Sequence, residues 1–360
     1  MPLAAKRMNA ATSSLGVWPA SRLENIEFCP ICRDSRSERL YSALTDSVCR
    51  CAPGEWSMQR CKGCQVAYLN PRPTCDSIGL AYGKYYTHQV SRRMRTSDLS
   101  PFGFLKTAIK NDYLKFRFGV TLHPRFPFGI LVVYLMPYLL LKVEQSIRHL
   151  PPANDRARLL DVGCGNGDFI EFAASLGWNA QGLDPDPEAV IAARKAGLTV
   201  AEGGFPNTGV ADEQFDVVTL NHVIEHVHDP IAALSEVHRI LRPGGKVWIA
   251  TPNLDSAGSR LFSCHWRGLE PPRHLTIFNA SSLKLACESA GFATAVLRRQ
   301  PPSTAWYFET SLRIRHNLDP NQFEGEILPL RLKWYARWVD LKAFLNPAQG
   351  EEIVIIATKP

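Results

Sequence analysis

The chain has 360 residues, of which 45% are hydrophobic and 21% are charged, and its formal net charge is +7. This composition is typical of a globular protein with one large domain and a smaller one, and it argues against disorder. The N-terminal segment lacks the apolar run of ~7 to 15 residues that a secretory signal needs, so we expect a cytoplasmic protein.

Changes in composition predict four regions along the chain. They are a flexible N-terminus at 1–24, a cysteine-rich head at 25–75, a basic, helical region at 76–150, and an α/β domain at 151–360 with an insertion at about 299–349.

The head contains seven of the ten cysteines, between Cys29 and Cys75. Two Cys-x-x-Cys pairs supply candidate ligands for a tetrahedral zinc ion: Cys29, Cys32, Cys61 and Cys64. Four thiolates leave no open coordination position, so we expect a structural metal. The 28 residues between the pairs exceed the ~15 to 20 of a compact ribbon and predict an inserted hairpin. Cys49 and Cys51 lie in this insertion and are alternative ligands.

The basic region carries the excess positive charge, because residues 81–150 contain eleven Lys and Arg but three Asp and Glu. Such a run is either a solvated face or a surface that meets phosphate on an acceptor or a membrane. Apolar residues from Phe102 to Phe116 recur every three or four positions, which predicts a basic amphipathic helix. We expect it to cap the ligand site, with peripheral contact of 102–141 at the inner face of a membrane as the alternative.

The segment from Phe126 to Leu141 is uncharged for sixteen residues. A helix of that length would span about 24 Å, which is short of the ~30 Å hydrocarbon core, and Pro137 would interrupt it. We therefore expect no complete membrane span here.

Five apolar runs in the last region indicate buried strands: RLLDVG, AQGLD, FDVVTL, KVWIAT and IVIIAT. Helical spacing follows Gly167, Pro187, Pro230 and Ser281. Strands that alternate with helices predict an α/β fold with a doubly wound, mostly parallel sheet. In such a sheet, ligands bind at the carboxyl ends of the strands.

The first of these strands enters a glycine-rich turn, LLDVGCGNGDF at Leu159–Phe169. Gly163, Gly165 and Gly167 allow a tight turn and a close approach of the backbone to a ligand. The turn is not the G-x-G-x-x-G of a nicotinamide site, because Asp168 stands where the third glycine belongs. It also lacks the Lys-Ser/Thr end of a phosphate-binding loop.

A carboxylate follows the glycine-rich turn after about twenty residues. Asp184 ends the second predicted strand in GLDPD, where a carboxylate can accept hydrogen bonds from both hydroxyls of a ribose. Capping of the next helix fits Asp186 better than Asp184.

The order and spacing of four segments resemble those of class I S-adenosylmethionine-dependent methyltransferases: LLDVGCGNGDF, GLDPD, FDVVTLNHVIEHVHDP and LRPGGKVWIATPN. Within that family the chain is similar to the branch of ubiquinone-pathway O-methyltransferases and of sugar and polysaccharide methyltransferases, some of which begin with a zinc-binding cysteine head. The resemblance covers about 157–292 and implies a Rossmann-like, seven-stranded sheet with S-adenosylmethionine as cofactor.

The resemblance also implies which residues hold the cofactor. Asp161 and the Gly163–Gly167 loop would hold the methionine moiety, Asp184 the ribose, and Glu202 would lie near the adenine. The complete implied set is Asp161, Gly163, Cys164, Gly165, Gly167, Asp184, Pro185, Glu202, Asn221 and His222.

Two histidine-containing segments are candidates for chemistry at the methyl acceptor. A hydroxyl acceptor must lose a proton, and His226 beside Glu225 is the first candidate for the general base, because imidazole titrates near neutral pH. The alternative is that EHVHDP is a structural turn. In some metal-using relatives a Glu-x-x-Glu-His run holds a divalent ion, but His222 replaces its first Glu here, which argues against a metal.

The second segment, HWRGLEPPRHLTIF, contributes Trp266, Arg273 and His274. Arg273 would pair with an acceptor phosphate, and His274 is either a second base or a hydrogen-bonding residue of the loop. Tyr82 and Tyr86 would either reach the acceptor pocket or pack internally.

We therefore expect a methyltransferase that acts on a sugar, a nucleotide sugar or a lipid-linked glycan. The alternatives are O-methylation of a prenylated ring hydroxyl, as in a quinone-like lipid, and a non-catalytic scaffold that binds zinc and cofactor. Nucleic acid is not an expected partner, because no base-methylating signature follows the fourth strand. The sequence does not indicate an oligomeric state.

Overall fold

The computed structural model describes residues 17–83, 100–154, 156–322, 325 and 327–360. The strand β1 (Leu23–Glu24) lies just before the head, in the segment predicted as a flexible N-terminus. The head contains β2 (Ser37–Leu44), β3 (Trp56–Cys61), β4 (Ala67–Leu69) and β5 (Arg72–Pro73). β2 pairs antiparallel with β3, β3 with β4, and β1 with β5. The β2–β3 pair is the hairpin expected between the two Cys-x-x-Cys pairs.

Three helices follow in the basic region: α1 (Pro101–Phe118), α2 (Gly129–Leu135) and α3 (Pro137–Ser146). α1 begins after Ser100, whose side chain accepts a hydrogen bond from the Gly103 N–H, and ends at Gly119 in the left-handed conformation. Tyr113 is buried, whereas Phe102 and Phe116 are exposed, so the apolar face of α1 is covered only in part.

Within the described residues, no one helix has both the length and the hydropathy to cross a bilayer. α2 and α3 reach those values only as a pair, and the two helices meet at an angle of 109°.

A seven-stranded sheet forms the centre of the C-terminal region. Its strands are β6 (Arg158–Val162), β7 (Asn179–Asp184), β8 (Val200–Glu202), β9 (Phe215–Asn221), β10 (Leu241–Pro252), β12 (Thr294–Leu297) and β13 (Glu352–Thr358). Their order is β12-β13-β10-β9-β6-β7-β8. The five strands from β10 to β8 are parallel, and β13 runs antiparallel to both of its neighbours. The predicted α/β, mostly parallel, doubly wound sheet is therefore confirmed.

Helices cover both faces of this sheet. They are α4 (Asp168–Ser175), α5 (Pro187–Lys195), α6 (Pro230–Ile240), α7 (Ala257–Phe262), α8 (Ala280–Ser289), α9 (Thr304–Arg315) and α10 (Leu330–Leu345). Successive side chains of a strand point to opposite faces. Val218 accordingly packs in the core that includes α6 and α8, whereas Val217 packs in the core that includes α1, α3 and α4.

The head is joined to the large domain by a shared sheet. The short strand β11 (Thr276–Ile277) pairs antiparallel with β4, which gives a four-stranded sheet in the order β11-β4-β3-β2. The segment just before β11 holds Trp266, Arg273 and His274, so the head directly supports the predicted acceptor side.

Candidate cofactor and acceptor site

Three glycines shape the turn between β6 and α4, and all have positive φ: +68° at Gly163, +53° at Gly165 and +86° at Gly167. A Cβ on Gly163 would approach Val223 Cγ2 to 2.7 Å, and one on Gly167 would approach Leu198 Cδ1 to 2.3 Å. A Cβ on Gly165 would meet nothing within 4 Å. A Cβ at Gly163 or Gly167 would therefore displace a neighbouring side chain, whereas Gly165 leaves an open cradle in which a ligand could contact the backbone.

Asp184 connects the end of β7 to this turn. Its Oδ2 accepts a hydrogen bond from the Gly165 N–H at 2.7 Å, and its Oδ1 accepts one from the Asp186 N–H at 2.9 Å. Burial raises the pKa of Asp184, although both hydrogen bonds oppose the rise. Asp186 caps α5 by accepting from the Glu188 N–H at 3.0 Å, as the sequence predicts. Asp184 therefore places a buried carboxylate directly beside the open cradle.

Asp161 in β6 forms a second polar cluster with a residue that sequence reasoning missed, Arg148. Asp161 Oδ1 accepts hydrogen bonds from the Arg148 guanidinium and, at 2.8 Å, from Thr219 Oγ1. Among the described residues, Asp161 Oδ2 has no hydrogen-bond partner. The guanidinium of Arg148 lies over the Phe169 ring at 3.6 Å from its centroid. The Arg148 guanidinium can bind a carboxylate, and Asp161 Oδ2 can accept a hydrogen bond from an amine. Together they suit a ligand that carries both groups at one end.

The other predicted cofactor residues lie along the same edge of the sheet. Glu202 ends β8 in register with Asp184, and Asn221 ends β9. His222 follows with φ +54° and donates its backbone N–H to Ala250 O at 2.9 Å. Cys164 is buried and Pro185 is exposed. The roles assigned to these residues remain predictions.

His222 lies between two carboxylates. Its Nδ1 is 3.1 Å from Glu225 Oε1, and its Nε2 is 3.6 Å from Glu352 Oε1. Desolvation opposes protonation of His222, but the two carboxylates outweigh it and raise its pKa to about 10. Desolvation also opposes ionisation of Glu225, but the hydrogen bond from His222 lowers the pKa of Glu225 to about 2. Tyr307 in α9 donates to Glu352 Oε1 at 3.0 Å and extends the chain of contacts.

The nearest described partners of His226 differ from those expected. Its Nδ1 lies 3.1 Å from Arg273 O and 3.2 Å from Tyr82 Oη, whereas Glu225 bonds to His222 instead. A carbonyl oxygen can only accept, so the contact with Arg273 O requires a proton on Nδ1.

His274 packs edge-on against His226, with ring centroids 4.7 Å apart. Its Nδ1 is 2.8 Å from Gly268 O, which is the loop-forming hydrogen bond that the sequence left as one alternative. Burial, and secondly the neighbouring imidazole of His226, lower the pKa of His274 to about 4. Glu225, His226 and His274 each offer a ligand atom, and these atoms lie within 4.8 Å of one another, which is also compatible with a metal ion.

Arg273 is fully buried and held by the protein itself. Its guanidinium donates to both oxygens of Asp46, to Glu270 Oε1 at 3.0 Å and to Ala81 O at 2.9 Å. Desolvation opposes the charge, but Asp46 and Glu270 outweigh it and raise the pKa of Arg273. The structure gives Arg273 a role in joining the head to the acceptor-side loop, and its pairing with a phosphate remains a prediction.

Two further predicted acceptor residues, Trp266 and Tyr82, belong to or pack against the same hydrophobic cluster. Trp266 is buried and stacks on Tyr307, with ring centroids 6.4 Å apart. Tyr82 contacts His226 as described above. Tyr86 lies outside the described residues.

The four cysteines of the two Cys-x-x-Cys pairs come together, and their sulfur atoms all lie within 4.8 Å of one another. The Sγ atoms of Cys29 and Cys64 are 3.5 Å apart, as are those of Cys32 and Cys61. Tetrahedral zinc with bonds of ~2.3 Å places its sulfur ligands about 3.8 Å apart. The hydrogen bond from Cys64 lowers the pKa of Cys29 to about 5, against burial. The cluster therefore fits a zinc ion.

Cys49 and Cys51 do not belong to this cluster. They lie in the loop that wraps around Asp46, which accepts hydrogen bonds from the N–H groups of Cys49 and Cys51 at 3.1 and 2.9 Å. Burial raises the pKa of Cys49 to about 12. The alternative in which these two residues are zinc ligands is not supported by their positions.

Comparison with known proteins agrees with this architecture. Residues 138–296 match a family model described as a methyltransferase domain. Over 103 residues the chain is 36% identical to a ubiquinone biosynthesis O-methyltransferase of Pseudomonas aeruginosa, which covers 27% of this chain and 44% of the relative. Over 127 residues it is 37% identical to a protein of the same name from Xanthomonas axonopodis, with 33% and 52% coverage. The chain thus spans about half the length of these relatives.

Solved structures match a larger part of the chain at lower identity. A methyltransferase from Thermotoga maritima, described as a possible histamine N-methyltransferase, is 21% identical with a TM-score of 0.40, and covers 64% of this chain and 92% of its own. One from Archaeoglobus fulgidus is 19% identical with a TM-score of 0.42, and covers 64% and 100%. From the sequence match and the strand order with its reversed β13, the chain contains a methyltransferase domain with the class I fold.

Proposed function

We propose that the protein transfers a methyl group from S-adenosylmethionine to an acceptor hydroxyl. The observation that carries this proposal is the open cradle at Gly165, bordered by the buried carboxylates of Asp184 and Asp161 and by Arg148. Each of these groups matches one part of the cofactor.

The residues divide the binding of the cofactor between them. Arg148 would hold its carboxylate and Asp161 Oδ2 its amine, because these groups present a cation and a free acceptor side by side. Asp184 would accept from the ribose hydroxyls, and Glu202 at the end of the adjacent strand would lie near the adenine. The cofactor supplies an activated methyl group, so the protein mainly aligns the acceptor with it and excludes water.

The acceptor proton would pass to His226. Its Nδ1 would donate to Arg273 O, so Nε2 is the nitrogen that would accept the proton. Tyr82 Oη contacts the same ring, which would bring the segment after the head within reach of the acceptor. His222 is protonated through its two carboxylate contacts, and is therefore unsuited to accept a proton at neutral pH.

The acceptor class that we propose is a hydroxyl attached to a lipid, on either a prenylated ring or a lipid-linked sugar. The relatives named ubiquinone biosynthesis O-methyltransferase favour the ring, and the motif resemblance favours the sugar. Exposed apolar side chains of α1 and α2, such as Phe116 and Leu135, and Phe128 just before α2 support peripheral contact with a membrane. The zinc in the head would be structural, since all four ligands are thiolates.

The proposal is tested by incubating the zinc-loaded protein with S-adenosylmethionine labelled in the methyl group. Three acceptors are compared: a prenylated catechol, a polyprenyl-linked sugar and a soluble nucleotide sugar. We expect label in one of the lipid-borne acceptors and loss of at least about 100-fold in kcat with His226→Gln. Label in the nucleotide sugar alone would contradict the lipid-borne class, and no transfer to any hydroxyl would contradict the proposed reaction.

A further inference from the structure

Helix α10 carries a stripe of large apolar side chains on its outer side. The stripe consists of Leu330, Trp334, Trp338, Leu341 and Leu345, which are between 49% and 71% exposed. At about 100° per residue these five positions fall within about 80° around the helix axis. Ala336 and Val339 are buried on the opposite side, where α10 packs against the domain.

Basic residues border the stripe on both sides. Arg337 lies on one side, and Arg331 and Lys342 lie on the other, and all three are exposed. Two of them hold the aromatic rings: Arg337 lies 4.9 Å from the Trp334 centroid, and Lys342 Nζ lies 3.6 Å from that of Trp338. The acidic residue of α10, Asp340, faces the domain and accepts a hydrogen bond from Thr304 N at 3.2 Å.

This distribution of charge indicates what kind of surface binds the stripe. A tryptophan-containing apolar stripe between cations is the surface of a helix that lies in the interface of a bilayer, where the rings enter the headgroup boundary and the cations meet lipid phosphates. A second copy of the chain is a poor occupant, because two such helices face to face would bring the cations of one against those of the other.

We propose that α10 is a membrane-binding element that docks the protein on an anionic lipid surface through this stripe. The helix is held on its inner side by α9 and does not have to unfold to bind, so the contact is peripheral and reversible. The proposal concerns lipid binding alone and does not depend on the methyl acceptor.

Binding of the full-length, zinc-loaded protein to two kinds of vesicle tests the proposal. One contains phosphatidylcholine alone and the other also contains phosphatidylglycerol, and binding is read by cosedimentation and by the tryptophan emission maximum. We expect binding to the anionic vesicles with a blue shift, and weaker binding at high salt.

Three variants assign this binding to α10. Trp334→Ser combined with Leu341→Ser should lower partitioning at least about tenfold, and Arg337→Gln combined with Lys342→Gln should lower it for the anionic vesicles. Ile191→Ser is the matched control, because Ile191 is an exposed apolar residue of α5 outside the stripe. Thermal melts verify that each variant is folded. We expect every variant to fold, because all the substituted side chains are exposed.

Several outcomes would overturn the proposal. They are an absence of binding to either vesicle, unchanged binding by the Trp334/Leu341 variant, and loss of binding with Leu131→Ser and Leu135→Ser of α2 but not with the α10 changes. Sedimentation without lipid tests whether a second copy of the chain covers the stripe. A wild-type dimer, together with a monomeric Trp334/Leu341 variant, would assign the stripe to that second copy.

Discussion

Gly165 and Gly167 both have positive φ, but a side chain would have different neighbours at the two positions. Ala at Gly165 meets open space and costs the strain of a left-handed residue, about 1 to 2 kcal/mol. Ala at Gly167 adds a clash with Leu198 at 2.3 Å. We expect Gly165→Ala to lose cofactor affinity by at least about tenfold with a modest fall in melting temperature. The melting temperature of Gly167→Ala should fall further, because Leu198 must also move.

Calorimetric melts and cofactor titrations on the two variants separate these effects. Ala at Gly197 is a useful control, because this glycine also has positive φ and open surroundings but lies after α5. If Gly165→Ala bound the cofactor as tightly as the wild type, the cradle would not be the binding site.

Arg273 was predicted to bind an acceptor phosphate, but in the structure it forms internal ion pairs. Its guanidinium is buried with Asp46 and Glu270, and removal of one partner from a buried ion pair costs about 3 to 5 kcal/mol. We expect Arg273→Ala to lower the free energy of unfolding by that amount in urea titrations. Arg315→Ala is the control, since Arg315 is exposed and donates to Leu261 O. An unchanged free energy of unfolding, with a raised KM for a phosphate-bearing acceptor, would restore the original interpretation.

His222 should make stability depend on alkaline pH. Its pKa rises from the usual 6.5 to about 10 on folding. The stabilisation is therefore fully present below pH 6.5 and is lost as the pH rises through about 10. His222→Asn tolerates the positive φ and removes the titrating group.

Free energies of unfolding are measured for both proteins from about pH 6 to pH 10. We expect the wild-type advantage to shrink steadily across this range. A constant difference would show that His222 is not protonated between Glu225 and Glu352.

At the scale of elements, the sequence pattern located five buried strands, because each is an apolar run. It also located the helices after Gly167, Pro187, Pro230 and Ser281, because each buries apolar residues on one of its sides. β12 was missed because TAVL is a short edge strand with half of its residues exposed. α10 was missed because it is apolar on its buried and on its exposed side, which blurs the helical period.

The polar part of the site was less accessible to sequence reasoning. The glycine turn and Asp184 are local motifs, and both lie where the resemblance implies. Arg148 reaches Asp161 only because the chain after α3 turns through positive φ at Arg148 and His149. The partners of His226 come from Tyr82 and Arg273, which are 144 and 47 residues away in the chain. No spacing in the sequence predicts such contacts.

At the scale of the whole molecule, the head and the large domain form one unit. β4 pairs with β11, and Asp46 of the head holds Arg273. Loss of zinc should therefore destabilise the large domain as well. We expect about one zinc per chain, a single melting transition, and a large fall in its midpoint after chelation or in Cys61→Ser.

Elemental analysis measures the zinc content, and scanning calorimetry measures the number of melting transitions and their midpoints. Cys75→Ser and Cys264→Ser are the controls, because both thiols are exposed and lie outside the cluster. Two separate transitions, of which only the first responds to chelation, would contradict the coupling.

The most direct test of the central claim is calorimetric titration of the zinc-loaded protein with S-adenosylmethionine. Asp184→Ala and Asp186→Ala are compared, since both remove a carboxylate from the same turn but only Asp184 contacts the Gly165 N–H. We predict binding by the wild type, binding within a few-fold of it by Asp186→Ala, and a loss of at least about tenfold for Asp184→Ala. No binding by folded wild-type protein, or equal affinity in Asp184→Ala, would contradict the account of this site.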